Sequence, residues 1–174
     1  MLDIGLFSVK QIELLGKHHD RKGFDCGENA LNQFLQRTAR QHIQKGLSRT
    51  FVLIDTEQPS VIIGFFTLTL CEVKVDNLPS RWAKKYPDVV PGVKLARLAV
   101  SKEFQKLGIG SILLVESMKR AKVIADNAGV IGLFVDAKSL EVKKYYQRFG
   151  FEGTEEHPLL LFLPLSTIND LLES

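Results

Sequence analysis

Apolar positions along this chain switch between a helical and a strand period several times. Leu31, Phe34, Leu35, Thr38 and His42 recur at i, i+3, i+4, i+7 and i+11, which predicts an amphipathic helix from about Glu28 to Gln44 after an Asp25-Cys26-Gly27 turn. Ser48–Ile54 reads as a strand, Asp55–Ser60 as a turn and Val61–Val73 as a longer apolar strand, so the two strands are expected to form an antiparallel hairpin. From Asp76 to Gly92 the chain carries Pro79, Pro87 and Pro91, which predicts a long loop with one helical turn. A loop of that length in a compact domain is usually a functional lip or disordered. Val93–Val100 is the next strand.

A long helix follows Gly108, with Ile109, Leu113, Ala121 and Ile124 on one stripe and Leu114 and Met118 beside it. Val130–Val135 reads as a buried strand. Ser139 is a candidate N-cap with Glu141 in the first turn, Val142, Tyr145, Tyr146 and Phe149 share a helix face, and Gly150 is a natural stop. Phe151 begins another extended piece, Leu159–Leu163 a last strand and Ser166–Leu172 a closing helix. The alternation predicts an α/β (α+β) fold, a mixed sheet with helices on both faces, as a single domain over 1–174.

Composition narrows the class without naming it. Apolar residues at 45% and charged residues at 25% fit an ordinary globular chain, and a formal charge of +3 permits an anionic partner without demanding one. Cys26 and Cys71 make neither a disulfide framework nor a metal-ligand spacing. Met1-Leu2-Asp3-Ile4-Gly5 lacks the apolar core of a signal peptide, and no run approaches the ~18 apolar residues of a membrane span. A cytoplasmic protein with no membrane partner is expected.

The chemistry concentrates at residues 97–111. An apolar strand ending in Val100 runs through a short basic loop, Gln105-Lys106-Leu107-Gly108-Ile109-Gly110, into a helix. Glycines let the backbone approach a ligand closely, and the helix N-terminus favours an anion, so a phosphorylated ligand is expected there. A second strand–helix unit, Val130 to Gly150, follows and contains Tyr146-Gln147-Arg148-Phe149-Gly150-Phe151.

This order of motifs resembles the GNAT N-acetyltransferases, whose R/Q-x-x-G-x-G/A loop is followed by a Y-x-x-x-G-F helix. The resemblance implies the GNAT fold with a mostly antiparallel sheet, and acetyl-CoA as acetyl donor. It implies that Leu98, Ala99 and Val100 face the pantetheine through their backbones, and that Gln105, Lys106, Leu107, Gly108, Ile109, Gly110 and Ser111 cradle the diphosphate. Tyr146 occupies the place of the tyrosine that protonates the departing thiolate. Ser139 stands where relatives often carry an Asn bonded to the cofactor arm.

Phe24-Asp25-Cys26-Gly27 before Leu31-Asn32-Gln33-Phe34-Leu35 is similar to a branch of the family that acts as bacterial toxins of toxin–antitoxin pairs. Gly64–Leu68, Leu95–Val100 and Gly132–Ala137 match that branch as well. It implies aminoacyl-tRNA as acceptor, acetylated on the α-amine, a ribbon-helix-helix antitoxin as partner, and homodimerisation. Basic residues interleaved with aromatics fit such a substrate, since cations hold phosphates and rings stack on bases. Arg81, Lys84 and Lys85 flank Trp82 and Tyr86, Lys94 follows, and Arg97 sits inside an otherwise apolar strand, where it could meet the RNA end or pair with a carboxylate. Arg37, Arg40, Lys45 and Arg49 make a second basic cluster, and the alternative for both clusters is a solvated loop and a solvated helix face. No general base is evident, Glu72 and His42 being the candidates, and His18-His19-Asp20 lacks the third ligand of a metal site. The alternatives are acetylation of a small or protein amine and a non-catalytic acetyl-CoA-binding module.

Overall fold

The computed structural model describes residues 9–174. They form two compact units, one of residues up to Thr69 with Arg97–Val115, the other of Leu70–Ala96 with Glu116–Ser174. Six strands follow one another in sequence order across one sheet: β1 (Lys10–Leu14), β2 (Arg49–Asp55), β3 (Gly64–Lys74), β4 (Val89–Val100), β5 (Gly132–Asp136) and β6 (Leu160–Pro164). The pairs β1–β2, β2–β3 and β5–β6 are antiparallel, and β4–β5 is parallel. The mixed sheet and the β2–β3 hairpin are as the sequence predicts. The expectation at Met1–Gly5 falls outside the described residues.

In the first unit, β1 is an element the apolar pattern does not announce. Lys10-Gln11-Ile12-Glu13-Leu14 has only two apolar side chains and lies at the sheet edge, where a polar strand is favoured over an apolar one. Its strand character comes from pairing with β2, Ile12 opposite Leu53. The predicted first helix is present but interrupted. It consists of α1 (Asn29–Gln33), a π turn (Phe34–Thr38) and α2 (Ala39–Lys45), and closes with Gly46 N–H donating to Ile43 and Leu47 N–H to His42. Its inner face, Phe34, Leu35 and Ala39, packs into a core with Phe24, Val52, Ile54, Phe65 and Ala99. The Thr50 and Thr67 hydroxyls, fully buried on neighbouring strands, satisfy one another at 2.8 Å.

In the second unit, β4 begins at Val89, four residues before the predicted start, and takes in Pro91 and Gly92. Proline is tolerated near the start of a strand because the donor it lacks is least needed there. The Pro91 carbonyl still accepts from Ile131 N–H, and Val75 N–H donates to Asp88. The loop is thereby shortened, and it holds a 3₁₀ turn at Val75–Asn77 and the expected single helical turn, α3 (Ser80–Ala83). Trp82 anchors α3: its ring meets Phe162 edge-on at 6.0 Å, and its indole N–H donates to Glu152 at 3.0 Å. Arg81 pairs with the other oxygen of Glu152. Glu152→Ala removes both interactions and should cost about 1–2 kcal/mol in a urea melt, whereas Arg81→Ala, which removes only the exposed ion pair, should cost under about 1 kcal/mol.

The long helix α4 (Ile109–Asn127) runs from the first unit into the second, burying Ile109, Leu113, Leu114, Met118 and Ala121. α5 (Leu140–Gln147) is capped by Ser139, whose Oγ accepts from Val142 N–H at 3.2 Å, and Gly150 has φ 99°, as expected of a left-handed stop. α6 (Leu165–Glu173) closes the chain.

Candidate acetyl-CoA site

The end of β4 and the loop after it are fixed from several directions. Ser101 N–H donates to Ile63 and Lys102 N–H to Asp25, and Phe104 is buried in the 3₁₀ turn Lys102–Phe104. Gln105 has a role that the sequence pattern does not reveal. Its side-chain amide donates to the Val100 carbonyl and to the Cys26 carbonyl, both at 2.9 Å, and so braces the loop against the strand it leaves and against the 25–27 turn. That turn is itself knotted. Asp25 Oδ1 accepts from Gly27 N–H and Asn32 Nδ2, while Asn32 Oδ1 accepts from Cys26 N–H, each at 2.9 Å. The Gly27 and Asn32 hydrogen bonds hold the Asp25 carboxyl below the usual range.

Beyond Gln105 the backbone turns twice into the left-handed region, at Lys106 (φ 64°) and Gly108 (φ 79°). A side chain at a left-handed position costs about 1–2 kcal/mol, which Gly108 avoids and Lys106 bears. Apart from its own chain neighbours, nothing lies within 4 Å of where a Cβ at Gly108 would stand, and Leu107 is exposed. The loop therefore presents open backbone at the point where α4 begins, and the first N–H groups of a helix have no acceptor within it. This fits a diphosphate.

β4 contributes in a second way. Its parallel ladder with β5 has two pairs, Val93↔Leu133 and Lys94↔Phe134, although β4 runs on to Val100. Backbone groups on the β5 side of β4 beyond that ladder need other partners. Leu98–Val100 lie in that extension, where the Val100 carbonyl accepts from Gln105.

Tyr146 is buried on α5, edge-on to Phe151 at 5.3 Å and to Tyr145 at 5.5 Å. Burial, with a smaller contribution from Tyr145, pushes its phenol up to about 12, so it remains protonated at neutral pH. Ser139 uses its oxygen as the α5 cap, which leaves its hydroxyl proton available to a ligand.

The basic candidates divide by their surroundings. Arg81 is paired with Glu152, and Lys94 with Asp136 at 2.5 Å. The Lys85 ammonium lies 4.8 Å from the Trp82 ring centre, and Lys84 is exposed. Arg97 is half-buried with its guanidinium 3.7 Å from the centre of the Phe34 ring, and burial lowers its pKa. Of the candidate bases, Glu72 is exposed, and His42 is half-buried against Phe34 with Ser48 Oγ at 3.4 Å.

The fold adds Glu13 to the histidine pair, bringing three ligand-type atoms within 4.8 Å of one another. Their hydrogen bonds argue for a clasp. Gly16 N–H donates to Nδ1 of buried His19 at 2.9 Å, so a neutral His19 carries its proton on Nε2 and gives it to Glu13 at 2.6 Å. A metal would need that Nε2 lone pair. The His19 hydrogen bond, opposed by desolvation and assisted by His18, holds Glu13 below the ordinary glutamate range. A depressed carboxylate stabilises the fold above its unfolded pKa, and this contribution is lost as pH falls through the lower folded value. Acid unfolding curves should therefore lose a component in Glu13→Gln, whose stability below neutrality should depend less on pH than that of the wild type.

Residues 47–153 match the acetyltransferase (GNAT) domain family. A tRNA-acetylating toxin of Mycobacterium tuberculosis (strain ATCC 25618 / H37Rv) is 33% identical over 153 residues, which is 88% of this chain and 90% of that protein. Among solved structures, AtaT complexed with acetyl-methionyl-tRNAfMet superposes with a TM-score of 0.87 at 29% identity, covering 94% of this chain and 99% of AtaT. A mutant AtaT bound to the C-terminus of the antitoxin AtaR and acetyl-CoA gives a TM-score of 0.78 at 28% identity, covering 95% of this chain and 99% of the other. The chain belongs to the GNAT family of N-acetyltransferases, and acetyl-CoA is its acetyl donor. Among the described residues, no helix is long and apolar enough to cross a membrane.

Proposed function

We propose that this protein moves the acetyl group of acetyl-CoA to the α-amine of an aminoacyl-tRNA and thereby acts as a translation-blocking toxin. The observation that carries the acceptor is the likeness to a tRNA-acetylating toxin over nearly the whole of both chains. The donor reading draws its support from the left-handed Lys106 and Gly108 ahead of α4 and from the short β4–β5 ladder.

In this reading the backbone of Leu98, Ala99 and Val100 takes the pantetheine arm. The loop from Gln105 to Ser111 takes the diphosphate, with Gln105 acting as its brace, and the Ser139 hydroxyl donates to the arm. Attack by the neutral amine forms the C–N bond and breaks the C–S bond, and the nitrogen then loses its surplus proton to water. The sulfur leaves as the thiolate of CoA, and Tyr146, as general acid, offers its O–H to that sulfur. A phenol near pKa 12 is a poor proton donor towards an ordinary thiolate, whose conjugate thiol has a pKa of about 8.5. Its hydrogen bond to the developing negative charge is therefore its main contribution, and positioning the amine beside the thioester supplies much of the rest.

The reading also includes a single catalytic domain over 1–174, a cytoplasmic location where charged tRNA is found, an antitoxin of the ribbon-helix-helix type, and a homodimer. The test is incubation of the purified protein with labelled acetyl-CoA and either charged tRNA or a mixture of peptides and polyamines. Label on the aminoacyl moiety of the RNA is expected. Label found only outside the RNA assigns a small or protein amine instead, and acetyl-CoA binding without release of free CoA assigns a non-catalytic module. Induction in a bacterium without an antitoxin should arrest growth, and harmless expression at good soluble yield would count against a toxin.

A further inference from the structure

We infer that Arg97 binds the phosphodiester next to the acylated 3′-terminal ribose of the RNA acceptor, with the face of Phe34 as its platform. The inference rests on the acceptor proposed above. Arg97 is distinguished by what it lacks: Arg81, Lys94 and Lys102 each face a carboxylate, whereas no carboxylate among the described residues pairs with Arg97. A half-buried charge is costly unless something compensates it, and a single ring face compensates only in part.

The platform is itself unusual. Phe34 opens the π turn, a departure from α-helix often found at functional sites, and its ring is fixed by Phe65 at 6.5 Å and by the edge of His42 at 5.8 Å. The segment from Asn29 to Ile54, bounded by Glu28 and Asp55, contains Arg37, Arg40, Lys45 and Arg49 but no Asp or Glu, so that stretch carries a net positive charge.

Position identifies the anion. Arg97 directly precedes Leu98–Val100 on β4, where successive residues advance about 3.3 Å. An α-amine brought to the thioester on an aminoacyl-tRNA carries an ester to the terminal ribose and, a few bonds further, a phosphodiester. A polyamine or a lysine side chain carries no such anion. A planar guanidinium matches two phosphate oxygens at once, a geometry that a lysine ammonium does not reproduce.

The test measures binding of a fluorescent acceptor-stem minihelix with a single-stranded 3′ end to the full chain across a salt series. The same variants are assayed kinetically with charged tRNA. Arg97→Gln should bind the minihelix about 10-fold more weakly, with the slope of log K against log salt reduced by about 0.7. Its KM for charged tRNA should rise similarly, with the KM for acetyl-CoA unchanged. Arg97→Lys should keep the slope and lose about 3-fold in affinity, and it carries the test if Arg97→Gln does not fold. Wild-type affinity and slope in Arg97→Gln, or a loss confined to acetyl-CoA, overturn the inference while leaving the acceptor assignment standing if charged tRNA is still labelled. A wild type that neither binds the minihelix nor labels charged tRNA overturns both.

Discussion

Tyr146→Phe is expected to lower kcat by about two to three orders of magnitude, with the KM for acetyl-CoA and the thermal midpoint nearly unchanged. The substitution removes one hydroxyl and keeps the ring that packs on Phe151 and Tyr145, so the loss reports on chemistry rather than folding. A positioned acid or hydrogen-bond donor to developing charge contributes on that scale. Steady-state assay of acetyl transfer decides it, and a kcat within 3-fold of the wild type would remove Tyr146 from the mechanism. The raised phenol pKa adds an independent signature. The folded protein holds the neutral phenol up to about pH 12, whereas an unfolded tyrosine releases its proton near 10. Between those values the native state binds more protons than the unfolded one, so stability falls as pH rises. Relative to Tyr146→Phe, the wild type should lose about 1.4 kcal/mol per pH unit in that window and nothing below it.

The second large effect concerns folding. Gly132 opens β5 opposite Pro164, and a Cβ there would stand 2.2 Å from the Leu163 carbonyl oxygen and 2.8 Å from the Phe162 ring. The first obstacle is backbone, which cannot rotate away as a side-chain end does. Gly132→Ala therefore has to push β6 away from β5 or displace the ring that stacks on Phe134 at 4.9 Å. A loss of about 3 kcal/mol is expected, at the upper end for overpacking, and a fall of about 6–12 °C in thermal midpoint for a chain of this size. A midpoint within 2 °C of the wild type would show that the strands yield easily. Catalysis per folded molecule should change much less than yield, because Gly132 shapes the sheet and contributes no side chain to the chemistry.

The sequence alone carried the alternation of helices and strands, the glycine loop at the mouth of α4, the cap at Ser139 and the family motifs. These are legible because they are local: a helix face, a turn requiring a left-handed residue or a cap declares itself within a few positions. It did not carry β1, whose strand character depends on a partner some forty residues away in β2. Nor did it place the start of β4, because Pro91 reads as a breaker until Ile131 is seen to use its carbonyl.

At the candidate site the division follows the same physical line. The loop at 97–111 pointed to a phosphate cradle, and the family resemblance pointed to a proton donor at Tyr146. Whether each group was free to act depended on neighbours distant in sequence. Gln105 is occupied as a brace between Val100 and Cys26, Arg81 and Lys94 are taken by Glu152 and Asp136, and the histidine pair is closed by Glu13. Only tertiary structure set Arg97 on the ring of Phe34, where no carboxylate among the described residues pairs with it, and burial, assisted by Tyr145, moved the Tyr146 phenol up to about 12. The sequence determined which chemical groups this protein possesses and the local shapes that present them. Tertiary structure decided which of those groups are already satisfied, because hydrogen bonds, ion pairs and desolvation depend on distance in space rather than along the chain.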